Sequence, residues 1–146
     1  LCLFVTAGGE RLAVPAARVA EVVPAVRLHP AAGGSPWVAG LLRFRGAVTP
    51  VLDLDRGGAA REPRLSTRIV LLDVPTPAGP RRLGLLADRV SELREFAPAG
   101  PGYVGEPADG RPALGPLVAD ADGVVRVTDL TGLVPLAYPD AAGGRP

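Results

Sequence analysis

Apolar residues recur along this chain in short runs rich in Val and Leu, cut by a dense punctuation of 19 Gly and 17 Pro. Runs of this kind, bounded by turn residues at spacings of roughly 8–12 residues, predict the strands of an all-β sandwich or barrel. Residues 1–6 and 11–14 flank Ala7-Gly8-Gly9-Glu10, which reads as a hairpin loop. Val38–Phe44 and Ala47–Leu52 form a second hairpin across Arg45-Gly46, where Gly reaches positive φ without steric cost. Pro50 interrupts the second of these runs; lacking an N–H, it predicts an edge strand or a bulge. Arg68–Val74 and residues 82–87 read as a third pair around the turn at 75–80. Residues 114–119 and 124–128 read as a last hairpin across Asp120-Ala121-Asp122-Gly123. Between these pairs Val90, Leu93 and Phe96 carry an apolar thread. One segment, 15–23, reads as a helix: Pro15 opens it where an N–H is unused, Val19 with Val22 or Val23 faces inward, and Pro24 ends it. Residues 56–66 and 97–112 read as loops. Val51-Leu52-Asp53-Leu54 and Val127-Thr128-Asp129-Leu130 echo one another, each ending a strand on an Asp placed to cap a short helix. The echo points to two related subdomains.

At 146 residues the chain fits one domain, or two small barrels sharing a core. Apolar residues make up 47%, and the net charge of +1 argues against nucleic acid as a partner, which calls for a clustered basic face. All 16 cationic side chains are Arg, so Schiff-base chemistry on Lys is excluded. The abundance of Ala, Gly, Pro and Arg matches a GC-rich, bacterial coding sequence. Cys2 stands alone, which removes a disulfide framework and a cysteine metal site. The apolar start is too short for a signal sequence, and Arg18 and Glu21 break the best apolar stretch, so neither export nor a transmembrane helix is expected. A cytoplasmic protein with no direct membrane insertion is the expectation.

Several fragments imitate catalytic motifs. Gly100-Pro101-Gly102-Tyr103-Val104-Gly105 has the dinucleotide spacing, but Pro98, Pro101, Pro107 and Pro112 prevent the helix whose N-terminus would meet a pyrophosphate. Asp120-Ala121-Asp122-Gly123 lacks the third ligand and terminal Glu of a calcium loop and reads as a turn. His29 is the only histidine, and Ser35, Ser66 and Ser91 all lie outside a nucleophile elbow. One His and one Cys do not make a zinc site. No enzyme activity, cofactor or metal is expected.

The segment from Val38 to Leu54 closely resembles the signature of CheW-like domains, which runs Gly-apolar-apolar-x-apolar-Arg-Gly-x-apolar-x-Pro-apolar-apolar-Asp-Leu. Val19-Ala20-Glu21-Val22 is similar to the family's apolar-x-Glu-apolar turn. Gly84-Leu85-Leu86-Ala87-Asp88-Arg89-Val90 is similar to its Gly-apolar-apolar-x-Asp-x-Val, and the last hairpin, running into Thr128-Asp129-Leu130, to its closing strand. The chain departs from the pattern at Arg43, at Asp55 and in the Pro-rich loop. The resemblance implies two small SH3-like five-stranded barrels around a shared core with short helical turns, over residues 1–138, and a tail at 139–146. It also implies a non-catalytic adaptor recruited to chemoreceptor arrays. One surface would pair with the regulatory domain of a CheA-type histidine kinase, and another would receive the chemoreceptor's cytoplasmic tip. A regulatory domain cut from such a kinase, a receiver-fused adaptor, and an unrelated SH3-like peptide binder are the alternatives.

Carried over from the Arg-Gly turn, Arg45 is the first candidate for partner binding, since its planar fork grips a carboxylate in a way Lys does not. An exposed turn Arg, or an internal pair with Asp53, is the competing reading. Gly46 is the structural turn residue. Glu21 is a candidate for pairing with a basic partner, or a solvated carboxylate. Val19 is a contact residue or core, and apolar spacing favours core. Leu85, Ala87 and Val90 divide between core and partner groove.

Overall fold

The computed structural model describes residues 1–31, 35–55, 64–104 and 114–139. Ten strands carry the fold: β1 (Cys2–Ala7), β2 (Glu10–Pro15), β3 (Val19–Pro24), β4 (Val38–Phe44), β5 (Ala47–Leu52), β6 (Arg68–Val74), β7 (Arg81–Ala87), β8 (Arg89–Arg94), β9 (Leu117–Asp120) and β10 (Gly123–Val127). Among the described residues, helix is confined to two 3-10 turns, Ala16–Arg18 and Leu130–Leu133, and to α1 (Val134–Ala137). The strands form two five-stranded sheets, ordered β8-β1-β2-β10-β9 and β3-β6-β7-β5-β4. The barrel expected from the resemblance is therefore approximate, because neither sheet is closed by a ladder between its end strands. The polar stretch after Asp55, the centre of the Pro-rich loop and the tail beyond Pro139 lie outside the described residues.

Two readings of the chain are corrected, and a third is sharpened. Residues 15–23 do not form a helix: a 3-10 turn at Ala16–Arg18 leads directly into β3, antiparallel to β6. Val19, Val22 and Val23 fit helical spacing, but a bulge between Val19 and Glu21 shifts the strand's phase and produces the same spacing. Pro50 does not mark an edge, since β5 lies between β4 and β7. Its partner in the β4 register is Leu41, whose N–H donates to the His29 carbonyl at 2.8 Å and whose carbonyl accepts from the His29 N–H at 2.9 Å. Leu41 thus turns both polar groups away from β5, and the missing proline N–H leaves no gap in that ladder. The thread at Val90 and Leu93 is a full strand, β8, paired with β1.

The two sheets are circularly permuted copies of one unit. Taken in the order β3 to β7, and β8 to β10 followed by β1 and β2, both place their first, fourth, fifth, third and second strands side by side. The registers agree in detail. Val19 faces Leu72 and Glu21 faces Leu71 across a bulge, just as Val90 faces Val5 and Glu92 faces Phe4. Val51 lies parallel to Gly84 as Val127 lies parallel to Ala13. The Asp-Leu echo falls at equivalent strand ends: Asp53 accepts from the Asp55 N–H at 2.9 Å and Asp129 from the Thr131 N–H at 3.1 Å.

Three apolar clusters follow from this plan. Leu3, Val5, Leu12 and Val14 of one sheet meet Val70, Leu72, Leu83 and Leu85 of the other, with Trp37, Leu133 and Val134 completing the shared core. Leu42, Val51, Ile69 and Leu71 fill the inside of the β3–β7 sheet; Phe4, Ala13 and Val125 fill the other.

Candidate functional site

The β4–β5 hairpin turns at Arg45 and Gly46, both with positive φ, 51° and 82°. This is the backbone of a type I′ turn, whose twist matches the flanking strands. Gly adopts it freely, whereas a side chain at such a φ costs roughly 1–2 kcal/mol. A residue held there at that cost is a functional candidate. The turn carries the Arg45 guanidinium over the Phe44 ring, 5.0 Å from its centroid. Its Nη2 then donates to Glu21 Oε1 of β3 at 2.9 Å. The two charged candidates named from the sequence are thus partners of each other, and Glu21, not Asp53, receives Arg45. The pair remains accessible, with side-chain exposures of 72% for Arg45 and 37% for Glu21.

Next to it lies a second pair. Asp73 and Arg82 face each other across β6 and β7, and Arg82 donates two hydrogen bonds to the carboxylate, at 2.8 and 2.9 Å. The hydrogen bond from Arg82 holds the Asp73 carboxyl below its ordinary pKa, and the Arg82 pKa is raised by the same bond, with Glu21 adding a smaller Coulombic contribution. Arg45, Glu21, Arg82 and Asp73 therefore form one alternating charged rim at the mouth of the cluster containing Leu42, Leu71 and Phe44. Such a rim offers either charge to a partner's side chains while the aromatic ring supplies an apolar floor. Sequence reasoning did not put forward Phe44, Arg82 or Asp73 as site residues. The cross-strand Asp–Arg pair was readable from the register of that hairpin once its turn length was fixed.

The sequence as a whole matches the model of the CheW-like domain over residues 1–137. The chain belongs to the CheW-like domain family. Fifteen solved chains resemble it. One is the scaffolding protein TtCheW from Thermoanaerobacter tengcongensis, at 19% identity and a TM-score of 0.69, with 88% of this chain and 83% of that one covered. At that identity the likeness speaks for the fold. No curated protein matches the sequence.

Within this CheW-like domain the apolar candidates separate by burial. Leu85 and Ala87 are both 0% exposed and sit on one face of β7 in the shared core. They present no surface to a partner in this conformation. Val19 and Val90 are half-buried and pack against the same core from equivalent positions in the two sheets. Large apolar side chains that do face outwards include Val48 on β5, at 65%, and Val22 on β3. Among the described residues no group of three or more His, Cys, Asp or Glu is placed to hold a metal, and no helix is long and apolar enough to cross a membrane.

Proposed function

We propose that this protein is a non-catalytic adaptor that couples chemoreceptors to a CheA-type histidine kinase, acting in the cytoplasm at receptor arrays. The observation that carries the reading is the family match across residues 1–137. It is supported by the exposed Arg45–Glu21 pair at the position of the family's Arg-Gly turn. The rim suits the cytoplasmic tip of a receptor, a helical hairpin able to lay apolar residues beside Phe44 and set a carboxylate against Arg45. The kinase's own CheW-like regulatory domain would take a separate surface.

The test is Arg45→Ala, with binding to a receptor tip and to the kinase regulatory domain measured alongside thermal stability. Truncating one member of a desolvated charge pair costs ~2–5 kcal/mol of binding, roughly 30-fold or more in affinity. Stability should move by no more than about 1 kcal/mol, the upper range for an exposed ion pair. Arg45→Lys should recover part of the loss, since it keeps the charge and not the fork. Full affinity in Arg45→Ala, or a fall in stability with unchanged binding per folded molecule, refutes the role given to Arg45.

A further inference from the structure

We infer that each five-stranded sheet is closed along its seam mainly by charged side chains, and that the two closures differ: the β3/β4 seam is a latch that opens in the native protein, and the β8/β9 seam is a lock. The sheet orders leave β3 and β4 as the end strands of one sheet and β8 and β9 as those of the other. In both, charged side chains reach from one end strand to the hairpin at the other end. Glu21 of β3 meets Arg45 in the β4–β5 turn at 2.9 Å. Arg94 of β8 meets Asp120 of β9 at 3.2 Å, and Asp122 in the next turn at 3.4 Å.

The second closure is the stronger in burial and in the number of bonds that hold it, although its cross-seam distances are longer. Asp120 is 1% exposed and receives a second guanidinium, Arg11, whose Nη1 and Nη2 donate at 3.3 and 3.2 Å. The Asp122 N–H donates to it as well, at 2.8 Å. Arg94 and Arg11 lie 4.1 and 5.8 Å from the centroid of the Phe4 ring, and Arg94 is further held by Glu92 at 2.8 Å. Among the described residues the β3/β4 closure is one ion pair open to water; its Arg lies 5.0 Å from the Phe44 centroid and sits in the left-handed region. Exposed pairs are weak and screened by salt, while buried ones are screened much less.

The backbone repeats the asymmetry. Among the described residues, the backbone of the strap after β3 is hydrogen-bonded to β4 through the reciprocal His29–Leu41 pair. The strap after β8 makes the equivalent Tyr103–Leu117 pair and adds a bond from the Ala99 N–H to the Ala119 carbonyl at 2.8 Å. At the weaker strap the fit is close: a Cβ on Gly40 would lie 2.6 Å from Leu28 Cβ and 2.7 Å from the His29 carbonyl oxygen.

Residue-resolved amide hydrogen exchange on the whole protein tests this without any partner, so it stands whether or not the adaptor reading holds. Native proteins open locally in units of different stability. The His29 and Leu41 amides should exchange faster than Tyr103, Leu117 and the core amides Leu71 and Leu85. Raising NaCl to about 1 M, where the Debye length is roughly 3 Å, should speed His29 and Leu41 by about two- to fivefold, the factor an exposed pair is worth. Glu21→Gln should give the same acceleration at low salt and remove the salt response. Gly40→Ala should loosen the same two amides and leave Tyr103 and Leu117 as they were. Equal exchange at the two seams, a salt response at Tyr103 and Leu117 matching that at His29 and Leu41, or no change in Glu21→Gln overturns the inference.

Discussion

At the turn of the β4–β5 hairpin two neighbouring residues share a left-handed backbone for opposite reasons. Gly46 is there because glycine fits, and nothing lies within 4 Å of where a Cβ would stand. Gly46→Ala therefore isolates the conformational term: a loss of roughly 1–2 kcal/mol, measured by urea denaturation, with no new clash to confuse it. Arg45 bears that strain already, so its replacement by Ala adds none. Asp120 shows what a buried charge does in the same fold. Hydrogen bonds from Arg11, then from the Asp122 N–H and Arg94, overcome the cost of burial and hold its pKa down from 3.8 to about 2. Because the folded value lies below the unfolded one, the contribution is present in full above about pH 4 and is lost as the pH falls towards 2. The melting temperature should fall through that window in the native protein. In Asp120→Asn it should start lower at neutral pH and show a flatter acid limb. The sequence identified Arg45 and Glu21 singly. Their union needed the distance between β3 and a hairpin tip more than twenty residues later, which no local pattern contains.

Elements were legible where one periodicity was possible and obscure where two were. Val38–Phe44 and Ala47–Leu52 end where their turn residues end them. Val19–Pro24 and Arg89–Arg94 each contain a Val-x-Glu bulge. A strand with one residue added returns its side chains to a face at spacings that imitate a helix. The first was read as a helix for that reason, and the second as no more than an apolar thread. The Asp-Leu echo fared better, since Asp129 accepts from the Thr131 N–H and hydroxyl at 3.1 and 2.6 Å, and so caps the 3-10 turn Leu130–Leu133. That turn carries Leu133 and leads to Val134 of α1, both in the shared core. Asp129→Ala should cost about 0.5–2 kcal/mol, the range for a lost cap, read as a lower denaturant midpoint with an unchanged slope.

For the whole molecule, the permuted repeat was written in the chain all along. Arg18-Val19-Ala20-Glu21-Val22 and Arg89-Val90-Ser91-Glu92-Leu93 occupy equivalent places at the start of the two units. The repeat is hard to see because one copy runs unbroken from β3 to β7 and the other is split between the two ends of the chain. A permutant opened between Arg18 and Val19, with the original ends joined through a flexible Gly/Ser linker, would present both units whole. It should keep the β-sheet circular dichroism of the parent and melt in one transition, because the shared core still couples the sheets. Two separate transitions would show that the core does not bind the halves into one cooperative body. Trp37, the only tryptophan, lies 7% exposed in that core, and its carbonyl accepts from the Asp53 N–H at 2.9 Å. Its indole emission is therefore an optical gauge of one place, the joint between the sheets. Excited near 295 nm, it should stay blue while salt loosens the rim and turn red only when the two halves part.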